Sequence, residues 1–256
     1  MIPTVQERAG QGRRTRYAIC GLSSRALHLY IPALGDDALF ARTAELVAIV
    51  EADDARLAAF LERRGDGIRG YPADAFDRML TEVAPDAVIV APPDGTHVDY
   101  IVGALARDID VITEKPMVID CAQARAVIAA EARRRGRVRV THNTRYTQAN
   151  MAVRRMLLDG MVGRITNVEM TWNIDTYHGS SYFYRWNRDR ARSGSMSITK
   201  GCHHFDLLTW WIGDVPTQVF AYGALNYYGA GSPHHPSRVD GVAYTAEEQR
   251  ERCPYR

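Results

Sequence analysis

The chain is short of the features that would mark a secreted, membrane-bound or metal-dependent protein. It has four cysteines in 256 residues, Cys20, Cys121, Cys202 and Cys253, none at a CxxC or CxxH spacing. That argues against a disulfide framework and for a reduced, cytoplasmic protein. The histidine pairs His203-His204 and His234-His235 lack cysteine or carboxylate partners at regular spacing, so no metal is expected. Long apolar runs are missing too. Ala87-Val88-Ile89-Val90-Ala91 falls far short of the roughly 20 residues that span a bilayer. The start, MIPTVQERAGQGRRTR, is basic but has no apolar h-region, so residues 1–15 read as a disordered tail and not as a secretory signal. Neither sign of charge dominates: 32 basic against 30 acidic residues leave +2, which implies neither a nucleic acid nor an anionic membrane as partner. Hydrophobic content of 46% and charged content of 24% are globular values, and the length suits one large domain or two ordinary ones.

What is present is an alternation. Short apolar runs, expected as strands, lie at 17–20, 46–50, 87–91, 111–113 and 138–141. Between them lie amphipathic stretches, expected as helices, at 26–34, 54–63, 73–83, 97–107 and 121–135. Strands alternating with helices of about 10–15 residues predict βαβ units and a parallel, doubly wound sheet. Past residue 143 the texture changes. A helix at 149–158 is followed by a run with β-branched and aromatic residues on alternate positions, Ile165 to Ile174, expected as a one-face-buried strand. An Arg- and aromatic-rich loop comes next, then a helix at 197–212 in which Trp210 and Trp211 read as core, and a second strand from Gln218 to Tyr222, reaching toward Tyr227. Two strands make an incomplete sheet. The division is therefore a nucleotide-binding domain over 16–142 and an incomplete α/β domain over 143–256.

Gly21-Leu22-Ser23-Ser24-Arg25-Ala26 follows the first strand and opens the first helix, with the spacing of a dinucleotide fingerprint. Ser23 replaces the second glycine, and its hydroxyl could donate to a phosphate oxygen; helix N–H groups bind anions whatever the side chains. Glu51, closing the second strand, is either the acceptor for a ribose diol, which favours NAD over NADP, or a helix-initiating acid beside Asp53 and Asp54. Pro92 and Pro93 stiffen the loop that leads to Thr96 and His97; the loop either lies along a nicotinamide or ribose or is a turn with Thr96 as N-cap. Glu114-Lys115-Pro116 ends the strand at 111–113, and a lysine there is a candidate acid/base or clamp, or else a surface residue before a turn.

With these pieces in order, the chain resembles the Gfo/Idh/MocA oxidoreductase family. The resemblance rests on Gly21 to Ala26, Ala91-Pro92-Pro93 with Thr96-His97, Glu114-Lys115-Pro116, Thr144-Arg145-Tyr146 and Gly201-Cys202-His203-His204-Phe205-Asp206. It implies a Rossmann domain, an open-faced α/β domain, and NAD(P)-dependent chemistry at a sugar or polyol carbon, with NAD favoured. Carried over by position, the family's lysine falls on Lys115 and its catalytic histidine on His203. Four residues before that histidine, where many members hold an aspartate or histidine, this chain has Thr199, which cannot ionise. Cofactor contacts are expected from Gly21, Ser23, Ser24, Arg25, Ala26, Glu51, Pro92, Pro93, His97, Glu114 and Lys115. Family members associate through the open sheet, so a homo-oligomer is compatible with the reading.

Oxidising a hydroxyl requires loss of a hydride from carbon and a proton from oxygen, and the protein supplies the base. On one helix, Thr199, Lys200, His203, Asp206 and Trp210 form a stripe, so that Asp206 or Thr199 would orient the His203 ring. A desolvated Lys115 near other cations could share the proton work. The alternative for His203 and His204 is core packing. Substrate contacts are expected from Arg145, Tyr146, His178, Thr199, Lys200 and His203, with Arg145 and Tyr146 equally suited to a hinge. Tyr177, His178, Tyr182 and Arg185 would line a sugar pocket or form an interface. The alternatives to a dehydrogenase are a non-catalytic dinucleotide- or sugar-binding relative and an NAD-dependent glycosidase.

Overall fold

A computed structural model describes residues 13–35 and 40–235, together with the backbone of 238–239 and 242–243. The chain divides into two compact units, Met1–Thr141 and His142–Arg256. Residues 1–12 of the expected tail lie outside the described residues.

The first unit is built on six parallel strands: β1 (Thr15–Cys20), β2 (Ala44–Glu51), β3 (Arg69–Pro72), β4 (Ala87–Val90), β5 (Asp110–Thr113) and β6 (Val138–Val140). They run side by side in the order β3-β2-β1-β4-β5-β6. The central strand β4 is buried along its whole length, as a strand covered on both faces must be. Side-chain alternation divides the core in two. Ala18, Cys20, Val50, Val88 and Val90 pack on one face, and Ile19, Ile49, Ile89, Leu22 and Phe60 on the other. The covering helices are α1 (Ile31–Gly35, entered through a π turn at Ala26–Tyr30), α2 (Asp54–Arg64), α3 (Phe76–Val83), α4 (His97–Leu105) and α5 (Cys121–Ala132). Their ends follow local chemistry. Asp53 accepts the Arg56 N–H at 3.0 Å to cap α2, and Asp120 accepts the Gln123 N–H at 2.8 Å to cap α5. The chain winds outward in opposite directions from β1 and β4, so the switch point, where such sheets bind ligands, lies at the carboxyl ends of those two strands.

Three details depart from the periodicity. β1 starts at Thr15, and Arg13 pairs with Asp86 at 2.6 Å, so the last residues of the expected tail belong to the fold. Strand β3 was not expected, since only Tyr71 of its four residues is buried and Gly70 and Pro72 disguise it. Thr96 does not cap α4 through its side chain; its hydroxyl donates back to the Pro93 carbonyl at 2.8 Å.

The second unit contains α6 (Gln148–Leu158), four single-turn helices α7 (Thr176–Gly179), α8 (Ser181–Tyr184), α9 (Arg190–Ser193) and α10 (Met196–Thr199), the longer α11 (Cys202–Ile212), and an antiparallel pair of two-residue strands, β7 (Arg238–Val239) and β8 (Val242–Ala243). The strands expected at 165–174 and 218–222, and the extension toward Tyr227, are not formed. Alternation marks which residues share a face, but a strand also needs a neighbour for its N–H and C=O groups, and the described residues offer none. The helix expected over 197–212 is interrupted at Lys200-Gly201. Gly201 lies so close to Ser197 that a Cβ there would collide with the Ser197 carbonyl oxygen. Trp210 and Trp211 are half-buried and not core. The Arg145 and Arg154 guanidinium carbons lie 5.6 and 5.7 Å from the Trp210 ring centroid, and the Trp211 indole donates to the Asn150 carbonyl at 3.2 Å. Among the described residues no helix is long and apolar enough to cross a membrane, and no three His, Cys, Asp or Glu side chains group as metal ligands.

Candidate active site

In the first unit, one candidate cluster is the turn after β1. Gly21 adopts φ +88°, and a Cβ on it would sit 2.6 Å from both Pro92 N and Pro92 Cα, so only glycine lets the two strand ends meet at the switch point. The Gly21 N–H donates to the Val50 carbonyl at 2.7 Å, and the next N–H, of Leu22, donates to Glu51 Oε2 at 2.6 Å. Glu51 Oε1 accepts the Ala52 and Asp53 N–H groups at 2.9 and 3.0 Å. The carboxylate, in a residue only 7% exposed, therefore tethers the glycine turn, while Asp53 does the helix capping. A carboxylate has about four acceptor positions, and three are filled here. Ser23 Oγ accepts the Ala26 N–H at 3.3 Å and acts as a local cap, and Ala26 is fully buried. The first N–H groups of a helix have no partner within it and suit an anion.

The second piece is Glu114-Lys115-Pro116, after β5, with a cis peptide between Lys115 and Pro116. Glu114 is the anchor. Its Oε1 accepts the Tyr30 hydroxyl at 2.7 Å and lies 3.5 Å from Arg25 Nε, and its Oε2 accepts the Lys115 N–H at 3.3 Å. Burial, together with the Glu114 carboxylate, pushes the Tyr30 phenol above its ordinary range, against the Thr141 hydrogen bond, so it stays a donor. Arg25 and Glu114 thus hold each other and the lysine's backbone. His97, expected to touch cofactor, is 1% exposed and turned into the protein. Its Nδ1 and Nε2 each lie 2.9 Å from a carbonyl oxygen, of Pro116 and Pro92 respectively. The imidazole ties the two proline loops together, and a neutral ring, with one N–H, donates to only one of them at a time. Lys115 is half-buried, Pro92 partly covered and Pro93 exposed.

In the second unit the segment 142–146 meets α11. His203, 9% exposed, has its Nδ1 2.8 Å from the Thr144 hydroxyl oxygen. Asp206, expected to orient that ring, is bound by Arg145 through both oxygens, with Nε to Oδ2 at 2.7 Å and Nη2 on Oδ1, and His142 Nε2 lies 3.6 Å from Oδ1. This bidentate pair raises the Arg145 guanidinium further above its usual range and commits Arg145 to holding α11. The Thr199–Asp206 stripe is broken because Thr199 lies on α10, before the interruption at Gly201. The sequence places Thr144 in a motif without giving it a role; its partner is 59 residues away, beyond any local spacing. His204 packs edge-on to Trp172 at 4.5 Å, and burial, then Lys200, lower its pKa.

The residues expected to line a sugar pocket or form an interface fall as follows. His178 and Tyr182, one turn apart, meet each other at 3.2 Å on the exposed side of α7 and α8, and Tyr177 and Tyr146 are exposed. The neighbouring cavity is lined by Tyr184, Arg185, Trp186, Arg188, Asp189 and Arg192, so Arg185 alone of the expected set contributes. Arginine at 185, 188 and 192, an i, i+3, i+7 series, was the available signal.

A family model described as "Oxidoreductase family, NAD-binding Rossmann fold" matches residues 15–142, and one described as "Oxidoreductase family, C-terminal alpha/beta domain" matches 154–247. The "Putative oxidoreductase YteT" of Bacillus subtilis (strain 168) is 45% identical over 239 residues, covering 92% of this chain and 55% of that protein. An inositol 2-dehydrogenase of Rhizobium meliloti (strain 1021) is 26% identical over 182 residues, 71% of this chain and 52% of that protein. Among solved structures, the WlbA dehydrogenase from Chromobacterium violaceum, in complex with NADH and UDP-GlcNAcA, aligns with a TM-score of 0.61 at 26% identity, covering 78% of this chain and 56% of that one. The chain spans little more than half the length of these relatives.

Proposed function

The chain belongs to the Gfo/Idh/MocA family of NAD-binding oxidoreductases, and from that membership we propose that it transfers a hydride between a nicotinamide cofactor and a CH–OH carbon of a sugar or polyol. The observation that carries the reading is the turn from Gly21 to Ala26: a helix start at the sheet's switch point, with the Glu51 carboxylate bound to its backbone. The residues present fit the cofactor. The N–H groups of 23–25 suit a pyrophosphate, and the remaining acceptor position of Glu51 suits one ribose hydroxyl. Its buried negative charge disfavours a 2′-phosphate, so NAD is the preferred form. The fingerprint's second glycine is Ser23, whose hydroxyl serves as a donor to phosphate.

Bound nicotinamide supplies the hydride acceptor. The proton falls to Lys115 and His203. For His203 Nε2 to take a proton from a substrate hydroxyl, Nδ1 must carry the ring's N–H and donate it to Thr144 Oγ1. Thr144, whose hydroxyl can accept that N–H, orients the ring. Composition supports the lysine's part. Of 32 basic residues, 30 are arginine and two are lysine, Lys115 and Lys200. Arginine holds its proton at any working pH, whereas lysine can release one. Cys20, Cys121 and Cys202 are free thiols, which suits a cytoplasmic setting.

The test is nicotinamide reduction over a panel of aldoses and polyols with Lys115→Arg and Lys115→Ala. Both variants should bind NADH and lose turnover; full turnover in Lys115→Arg would remove the lysine from proton transfer. Saturable cofactor binding with no turnover on any substrate would favour a non-catalytic binding protein, the reading to which Thr199 lends support.

A further inference from the structure

The Arg-rich loop of the second unit deepens this reading by naming the substrate class, and it rests on the assignment as a sugar oxidoreductase. Its cavity, about 310 Å³, is lined by three guanidinium groups, one carboxylate, one indole and one phenol. The carboxylate, Asp189, accepts the Ala191 N–H through Oδ1 at 2.9 Å to cap α9, so the lining carries three positive charges against one negative. Some other arginines have counter-ions, as in Arg13 with Asp86, Arg69 with Glu82 and Arg107 with Asp77. Among the described residues Arg185, Arg188 and Arg192 form no such pair, and Arg192 lies over the Trp186 ring at 5.9 Å.

The loop that presents them is fixed from within. Fully buried Ser193 donates from Oγ to the Asn187 carbonyl at 2.7 Å, with the Asp189 carbonyl at 3.0 Å as a second acceptor. The Arg188 and Arg192 N–H groups each close a turn at 3.1 Å, on the Arg185 and Asp189 carbonyls. Trp186–Arg188 also packs against α10, from which Lys200 and Gly201 lead into the His203 helix. Three guanidinium groups against one carboxylate, on a preorganised loop beside an aromatic face, match a planar or tetrahedral anion carried on a small ring. The volume lies at the lower end of the range of about 300–1,000 Å³ for ligand sites, which suits one sugar ring with its anionic group and excludes a dinucleotide.

The geometry points to an acidic monosaccharide as the substrate, its carboxylate or phosphate held by Arg185, Arg188 and Arg192 and its ring set against Trp186. The two sources of negative charge share this chemistry and are separated by experiment. D-glucuronate, D-glucose 6-phosphate and D-glucose, a matched set on one scaffold, are titrated calorimetrically into the wild-type chain and into Arg188→Gln, Arg192→Gln and Arg188→Lys. At least one anionic probe should bind tenfold or more tighter than glucose. Each Gln variant should weaken that probe by about 10- to 100-fold, the worth of one charged hydrogen-bonding partner, with Arg188→Lys intermediate and glucose unaffected. Preference for glucuronate identifies a carboxylate, and preference for the phosphate identifies a phosphoryl group. Equal affinity for all three sugars, or Gln variants that bind as wild type, would overturn the inference. Should a Gln variant fail to fold, salt dependence in the wild type decides: anionic binding must weaken between 50 and 500 mM NaCl while glucose binding does not. A parallel NADH titration separates the two claims. Bound NADH without anion preference sinks the subsite alone; anion preference without NADH binding sinks the dehydrogenase reading alone.

Discussion

Replacing Gly21 with alanine tests the switch point at its tightest contact. The residue sits at φ +88°, where an L side chain costs about 1–2 kcal/mol. The added Cβ would also lie 2.6 Å from Pro92 N and Cα and 2.9 Å from its Cβ, about 1 Å inside the separation at which carbon atoms attract. Pro92 is backbone held by its own ring and by His97, so the strand ends must part, an overpacking cost of about 1–3 kcal/mol. Together these predict a loss of about 2–5 kcal/mol, or about 4–20 °C in melting temperature for a chain of this size. Gly65, at φ +67° with open space where a methyl group would go, isolates the first term. Its alanine variant should lose only about 1 kcal/mol, part of the strain being offset by a less flexible unfolded chain. Thermal melts of the two variants, each with and without NADH, provide the measurement. Gly21→Ala should melt well below Gly65→Ala and lose stabilisation by NADH, which Gly65→Ala keeps. Equal melting temperatures, or NADH protection of Gly21→Ala, would refute the argument from close approach.

Thr144→Val should lower kcat by about 10- to 100-fold with little change in KM, because the His203 ring loses its orienting partner, whereas Thr144→Ser should retain most of the rate and the wild-type pH profile. Ser195 adopts φ +95°, ψ 171°, a region nearly confined to glycine. Ser195→Gly should therefore stabilise the chain by about 1 kcal/mol in urea unfolding, and a lower midpoint would contradict the strain. His204 has a folded pKa depressed by burial and by Lys200. Its contribution is fully present above the unfolded value near 6.5 and declines as pH falls through that value toward the lower folded one, because the unfolded state then binds the extra proton. Melting temperature should fall on acidification from pH 7 to 5, less steeply in His204→Gln; identical slopes would exclude the residue.

The parallel sheet was legible because its strands are continuous apolar runs, and Ala87–Val90 could hardly be anything else in a chain that alternates strand and helix. β3 was hidden because an edge strand buries one side chain in four and tolerates glycine and proline. In the second unit, the alternation at 165–174 and 218–222 carries real information about faces but none about pairing partners, which lie outside any window of sequence. The break at Gly201 follows from a backbone approach to Ser197 that spacing does not register.

For the site, the glycine turn, Glu51 and Glu114-Lys115-Pro116 could be read from position alone. Their detailed contacts could not. Glu51 holds Leu22, His97 holds two carbonyls, and Asp206 belongs to Arg145 and not to the His203 ring, since each of these contacts joins residues that only the fold brings together. The scarcity of lysine was present in the composition throughout. With arginine at nearly every basic position, the two exceptions fall within candidate site motifs.

A fluorescence titration of the wild-type chain with NADH and NADPH tests the central claim most directly. Saturable NADH binding, at least about tenfold tighter than NADPH because the buried Glu51 carboxylate repels a 2′-phosphate, is the predicted result. No saturable binding of either nucleotide would contradict a nicotinamide site at the Gly21 turn.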